Sequence, residues 1–204
     1  EYGGFPVLSC SERSRDEHRL YLKSLYDTVV IRDILERDRR KGARLPRNGR
    51  LLERICRFLA DNIGNENSPH SIANALRSNS EKASSDTVGA YISSLCDAYL
   101  FYPAKRYDIK GKELLKTNGK HYIVDTGLRS FLDGYRNSDP GRTLENIVYL
   151  QLLYAGYEVA VGKLRQGEVD FVATRDSERF YIQVCEDMRD EATLDRELRP
   201  LRAI

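Results

Sequence analysis

Residues 100–125 read LFYPAKRYDIKGKELLKTNGKHYIVD. Two short β-like runs, LFYPAKRYDI and KHYIVD, flank the polar, basic GKELLKTNG. Aromatic and β-branched residues on either side of a Gly/Asn-bearing stretch predict two strands joined by an exposed hairpin. The residues before them keep helical spacing. Leu51, Leu52, Ile55, Leu59 and Ile63 form one apolar stripe, and Ile72, Ala73 and Leu76 a shorter one. Val88, Tyr91, Ile92, Leu95 and Tyr99 form a third, opened by Ser84 as a cap. Three helices followed by a two-stranded wing predict a winged helix-turn-helix over residues 46–135.

Outward from this region the chain stays mixed, and the fold class expected is α+β. Residues 1–45 are expected to be a helical segment, with Leu22, Leu25, Tyr26, Val29, Val30 and Ile34 on one face despite the β-branched triplet. The basic, turn-rich stretch 38–50 reads as a first linker, and 126–142, with Gly127, Gly134, Pro140 and Gly141, as a second. Residues 136–204 then read as a separate α/β unit: a helix TLENIVYLQLLYAG, three strands YEVAVGK, EVDFVAT and RFYIQVC, and a closing helix ATLDRELRPLRAI.

Composition narrows the function classes. The 204 residues are 41% hydrophobic and 31% charged, with a formal net charge of +2. No apolar run approaches the roughly 20 residues of a membrane span, and the first residues hold no secretory core, so no membrane partner and a cytoplasmic location are expected. The chain opens on Glu1 rather than Met, the expectation for a fragment or a trimmed chain. Cys10, Cys56, Cys96 and Cys185 form no CxxC pair and have no His at ligand spacing, which points to reduced thiols rather than zinc. A net charge near balance leaves any nucleic-acid argument to local charge.

That local charge sits on the wing, at Lys105, Arg106, Lys110, Lys112, Lys116 and Lys120. The helix Ser84–Tyr99 carries no Lys or Arg, and its ions are Asp86 and Asp97. Weak, salt-sensitive, poorly sequence-specific DNA contact is therefore expected, against a solvated hairpin that docks neighbouring domains. Tyr91, Tyr99, Tyr102, Tyr107 and Tyr122 cluster nearby, as packing residues or as a stacking surface. A second constellation is acidic. Glu145 lies on a helix, while Glu168 and Asp170 alternate along one strand and share a face. A hairpin centred on Asp176 and Ser177 sets Asp170 opposite Gln183 and Glu168 opposite Cys185. Glu145 and Asp170 are the candidate metal ligands of such a layout, which suits phosphodiester hydrolysis. The structural alternatives are a first-turn helix acid and a hydrogen-bonded residue inside a sheet. No GxxxxGK[ST] motif occurs, so the chain builds no P-loop of its own.

Several stretches taken together resemble a known family: YGGFP at 2–6, LYDTVVIRDIL, KHYIVDTGLR at 120–129, LENIVYLQLLYAGYEVAVGK, GEVDFVA and YIQV. Their order is similar to the C-terminal part of bacterial and archaeal AAA-type ATPases that carry a DUF4143 domain. The resemblance implies that residues 1–45 are a remnant of the AAA lid, with Gly3, Gly4 and Pro6 bordering the nucleotide in the parent protein. It implies an absent AAA core as a partner, holding ATP and Mg²⁺, and no cofactor or ATPase activity in this chain alone. It implies that residues 136–204 are a restriction-endonuclease-like α/β domain, truncated after Ile204 with a sheet edge unpaired. In that domain Glu145, Asp170 and Gln183 form a vestigial nuclease-like site. Gln183 and Cys185 stand where an acid and a lysine are expected, with Lys163 or Glu186 as the residues that could compensate. The function expected is a catalytically inactive region that binds DNA or a partner. The alternatives are a metal-dependent nuclease and a protein-docking scaffold.

Overall fold

The computed structural model describes residues 3–10, 14–36, 48–78, 83–115, 119–135 and 139–204, with backbone alone at 29–31 and 33. The fold is mixed α and β with two sheets. The chain forms two compact units that cut across the three segments read from sequence. One comprises Glu1–Ile63, Asn67–Tyr102 and Ile123–Arg136; the other comprises Gly64–Glu66, Pro103–Tyr122 and Asn137–Ile204.

The first unit is helical. It begins with α1 (Pro6–Ser9) and α2 (Arg15–Leu25), the latter opened by a capping box between Ser14 and Glu17. A π-helical stretch, Tyr26–Asp33, continues α2, so the β-branched triplet falls where the helix widens. Leu22, Tyr26 and Ile34 are buried, as their spacing predicts. Next come α3 (Gly49–Asp61), α4 (Pro69–Ser78) and α5 (Ser85–Asp97). Asn48 caps α3 by accepting from the Leu51 N–H at 3.1 Å, and Ser84 caps α5 by accepting from Thr87 at 3.1 Å. The three apolar stripes meet in one core, where Leu52, Ile55, Leu59, Ile72, Val88 and Leu95 are fully buried. Tyr99 departs from its stripe: it follows the end of α5 with a φ of 56°, and the residue is 70% exposed. The basic linker at 38–50 falls mostly outside the described residues.

The second predicted linker is corrected. Residues Thr126–Leu132 form α6, with Leu128 and Leu132 buried four residues apart. Asp125 caps it by accepting from the Leu128 N–H at 2.9 Å. The other carboxylate oxygen of Asp125 accepts from the Gly4 N–H at 2.6 Å. Gly3 has a φ of +81°, and a Cβ there would stand 2.0 Å from Asp125 Oδ1. Gly3 and Gly4 thus lie against a helix cap, and Pro6 takes the first turn of α1.

The second unit is built on a sheet. Strands β1 (Phe101–Ala104) and β4 (Lys120–Ile123) pair with each other, and the chain passes between the units within them. Strands β2 (Arg106–Asp108), β3 (Glu113–Leu114), β5 (Glu158–Lys163), β6 (Glu168–Arg175) and β7 (Glu178–Ile182) make a five-stranded sheet in the order β3-β2-β5-β6-β7. Part of the predicted wing, β2 and β3, therefore belongs to a larger sheet, while β1 and β4 pair on their own. Strand β2 runs parallel to β5, Arg106 beside Val161, while β2 and β3 form the hairpin. Helix α7 (Pro140–Tyr154) precedes β5, and α8 (Glu191–Arg202) follows β7. Strands β6 and β7 take the expected register, Phe171 opposite Ile182 and Val172 opposite Tyr181.

One irregularity positions the chemistry. Between β5 and β6, Ala160 pairs with Val172 and Gly162 with Val169, so Val161 alone faces both Asp170 and Phe171. This β-bulge slips the alternation of β6 by one residue. Val169 and Val172 join a small core with Ile109 and Leu164. Phe171 packs instead on Tyr122 and Tyr149, with ring centroids 5.6 and 5.7 Å away.

Candidate functional site

The second unit gathers its buried charge around one ammonium. Lys120 opens β4 and is 4% exposed. Its Nζ lies 2.6 Å from Glu168 Oε1 and 3.4 Å from Glu145 Oε1. Tyr122, two residues along the same strand and on the same face, donates its hydroxyl hydrogen to Glu145 Oε1 at 2.6 Å. Helix α7 supplies Glu145 and, one turn later, Tyr149, whose ring stacks on Tyr122 at 4.2 Å. Gly64 lies under the Glu145 carboxylate, and a Cβ there would come within 3.2 Å of Glu145 Oε2. Its φ of +72° makes the position doubly suited to glycine.

Asp170 sits beside this pair, in the bulge. Its carboxylate accepts from the Val184 N–H at 2.8 Å. Burial pushes its pKa up to about 6; the Val184 hydrogen bond and the Lys120 charge oppose the rise, and Glu145 and Glu168 add to it. For Lys120, burial works against the charged form, but the carboxylates of Glu145, Glu168 and Asp170 outweigh it and hold the ammonium above its ordinary range. Burial, then the Glu145 carboxylate, drive the Tyr122 phenol well above its ordinary value, so it stays a hydrogen-bond donor.

The residues singled out from sequence separate into three groups. Glu145, Glu168 and Asp170 converge. Gln183 lies just past β7, and its Oε1 is 3.4 Å from the Asp170 N–H while its Nε2 donates to Glu197 Oε2 at 3.0 Å. A neutral amide can serve both partners, since it accepts at one end and donates at the other. Cys185 is turned to its own loop, its Sγ 3.2 Å from the Asp187 carbonyl. Sequence reasoning missed one member of the cluster: Lys120, read as a wing cation, lies among these acids. Its signal was local, a cation opening the short β-like run Lys120–Ile123 with Tyr122 on the same face. Of the other wing cations, Arg106 is paired with Glu66 at 2.9 Å and has a side chain only 11% exposed. Lys105, Lys110 and Lys112 are exposed, and Lys116 lies outside the described residues.

The cluster can hold a positive charge and can hold or release one proton at Asp170 near neutral pH. Its carboxylates already neutralise an ammonium. Among the described residues, no group of three or more His, Cys, Asp or Glu is arranged to hold a metal ion, and the candidate ligands Glu145 and Asp170 face Lys120 instead. Cys56 is fully buried, and burial pushes its thiol up to about 12, which removes it as a nucleophile at neutral pH. No described helix is long and apolar enough to cross a membrane.

No solved structure matches the chain. An uncharacterized protein of Haemophilus influenzae is 40% identical over 185 residues, which cover 91% of this chain and 44% of that protein. The uncharacterized protein MJ1544 of Methanocaldococcus jannaschii is 28% identical over 203 residues, 98% of this chain and 43% of that protein. The chain thus spans less than half the length of these curated relatives. Neither relative nor the matching family model points to AAA-type ATPases or DUF4143, so that resemblance is corrected. With it goes the reading of Gly3, Gly4 and Pro6 as a nucleotide border; what the geometry places against them is the Asp125 cap. The model that matches residues 1–139 is the domain of unknown function DUF8612, and the chain belongs to that family.

Proposed function

We propose that this chain is a nucleic-acid-binding region of a longer protein, one that holds DNA weakly and does not cut it. The observation that carries the reading is the Lys120 ammonium between Glu168 and Glu145. In a metal-dependent nuclease a divalent cation would sit among such carboxylates to polarise the phosphate and generate hydroxide. Here an ammonium that belongs to the chain itself pairs with them. The reading treats the second unit as endonuclease-like, on the support of a helix acid and a bulged-strand acid meeting at one point. It treats α3, α4 and α5, followed by β1, the β2–β3 hairpin and β4, as a winged helix. The single bridge between Glu66 and Lys120 supports that topology. Exposed Lys105, Lys110 and Lys112 supply sequence-independent phosphate contacts, each releasing counterions.

The test is a titration of the intact 204-residue chain against labelled duplex DNA at rising salt, paired with plasmid incubation in Mg²⁺ or Mn²⁺. Binding that weakens as salt rises, with the plasmid left intact, is the expected result. Absent or salt-independent binding overturns the nucleic-acid reading. Metal-dependent strand scission that disappears in Asp170→Ala would establish the nuclease instead.

A further inference from the structure

A cleft of about 560 Å³ opens in the second unit, and neither Lys120 nor its carboxylate partners line it. Three separate elements line it with cations. Lys110 comes from the turn after β2, Arg165 from the β5–β6 turn, and Arg196 and Arg199 from one face of α8. None of its lining residues is acidic. Arg196 turns its guanidinium to Glu197, at 3.0 Å. Among the described residues, no carboxylate pairs with the side chains of Lys110, Arg165 or Arg199, and all three residues are exposed. Like charges drawn together from three elements repel unless solvent, salt or a bound anion offsets them. Guanidinium groups match the oxygens of a phosphate in a bidentate fork.

The cleft also adjoins the acidic cluster through the chain. Gly167 lines it, and the next residue is Glu168, the closest partner of Lys120. From the α8 side, Arg196 bonds Glu197, Glu197 bonds Gln183, and Gln183 reaches the Asp170 N–H. We propose that this cleft binds phosphate groups of a nucleic-acid backbone. The assignment rests on the nucleic-acid reading above and extends it from the wing, through Lys110, to Arg165 and the exposed face of α8. Exposed cations along an open cleft suit a polymer that passes through, whereas a site for one free phosphate would enclose it with buried donors.

The experiment compares the intact chain with the double variant Arg165→Ala/Arg199→Ala, with Lys110→Gln, and with the control Lys23→Ala/Arg189→Ala. The control removes as much positive charge from residues that do not line the cleft. Affinity for a labelled DNA duplex is read against salt, and thermal unfolding verifies that each variant is folded. The cleft double variant is expected to lose about two from the slope of log K on log salt, Lys110→Gln about one, and the control close to none. An equal loss in the control overturns the cleft while leaving the DNA reading intact. DNA affinity that is unchanged in the double variant does the same, whatever Lys110→Gln does, because Lys110 also belongs to the wing. If the intact chain binds no DNA, the DNA reading falls. Pyrophosphate is the second probe. Should the intact chain bind pyrophosphate but not DNA, with that binding lost in the double variant, the cleft is a site for small phosphates and its assignment to a backbone is overturned.

Discussion

Lys120 brings a charge into a place where a lone charge cannot stay. Desolvating an ammonium costs several kcal/mol, and only close carboxylates offset that cost. Glu168 and Glu145 supply them, and in return the lysine offsets part of the repulsion among these two acids and the nearby Asp170. Removing one partner of such a group costs about 3–5 kcal/mol, because the charges left behind stay buried. Lys120→Ala is therefore expected to lower stability by roughly that amount in urea unfolding. The space and negative charge it vacates make a further outcome testable: Mn²⁺ should raise the melting temperature of Lys120→Ala and leave the parent chain unchanged. Equal response of both chains to Mn²⁺ would show that the ammonium does not stand where a cation would. The sequence showed these acids more plainly than their partner. Glu145, Glu168 and Asp170 carry a recognisable spacing, whereas Lys120 sits among five other wing cations, and only its contacts set it apart.

Asp125 does a comparable task for elements rather than charges. One oxygen caps α6 at Leu128, and the other holds the Gly4 N–H, so a single side chain ties the start of the described chain to a helix that reads in sequence as a linker. Loss of a cap costs about 1 kcal/mol, and an amide left unpaired in a partly buried site costs about 1–3 kcal/mol. Asp125→Ala should thus cost about 2–4 kcal/mol in denaturant unfolding. Gly3→Ala should also destabilise, since its Cβ would overlap Asp125 Oδ1 at a positive φ. If both variants unfold at the parent's denaturant midpoint, the contact carries no weight. Elements of this kind were legible where periodicity was strong. The stripes of α3, α4 and α5 and the strands β5, β6 and β7 follow their apolar patterns closely. Helix α6 was hidden by Gly127 and Gly134, which look like linker residues until Leu128 and Leu132 are seen to be buried. The pairing of β2 with β5 had no local signal at all, because a parallel partner is chosen by tertiary packing far along the chain.

Across the whole molecule, the two units have separate cores, and the buried titratable cluster belongs to the second. No periodicity announces such a division. The chain crosses between the units within β1 and β4, in the middle of strands that sequence reads as one continuous wing. The division has a consequence for pH. Asp170 is raised from 3.8 to about 6, so the folded state holds its proton more tightly than the unfolded state does. Its contribution to stability is fully present below the unfolded value and is lost as pH rises through about 6. His121, on β4 between Lys120 and Tyr122, is lowered by burial from 6.5 to about 4. Its contribution has the opposite sign: it is present above 6.5 and is lost as pH falls toward 4. The two shifts are similar in size and overlap between pH 4 and 6, so they nearly cancel in the parent chain. Each single variant removes one side of that balance. His121→Gln is expected to lose stability, relative to the parent, as pH rises from 4 to 6, and Asp170→Asn to gain it over the same interval. Urea midpoints measured at both ends of the interval read the two slopes directly. Parallel pH profiles for the parent and both variants would mean that neither group changes its proton affinity on folding.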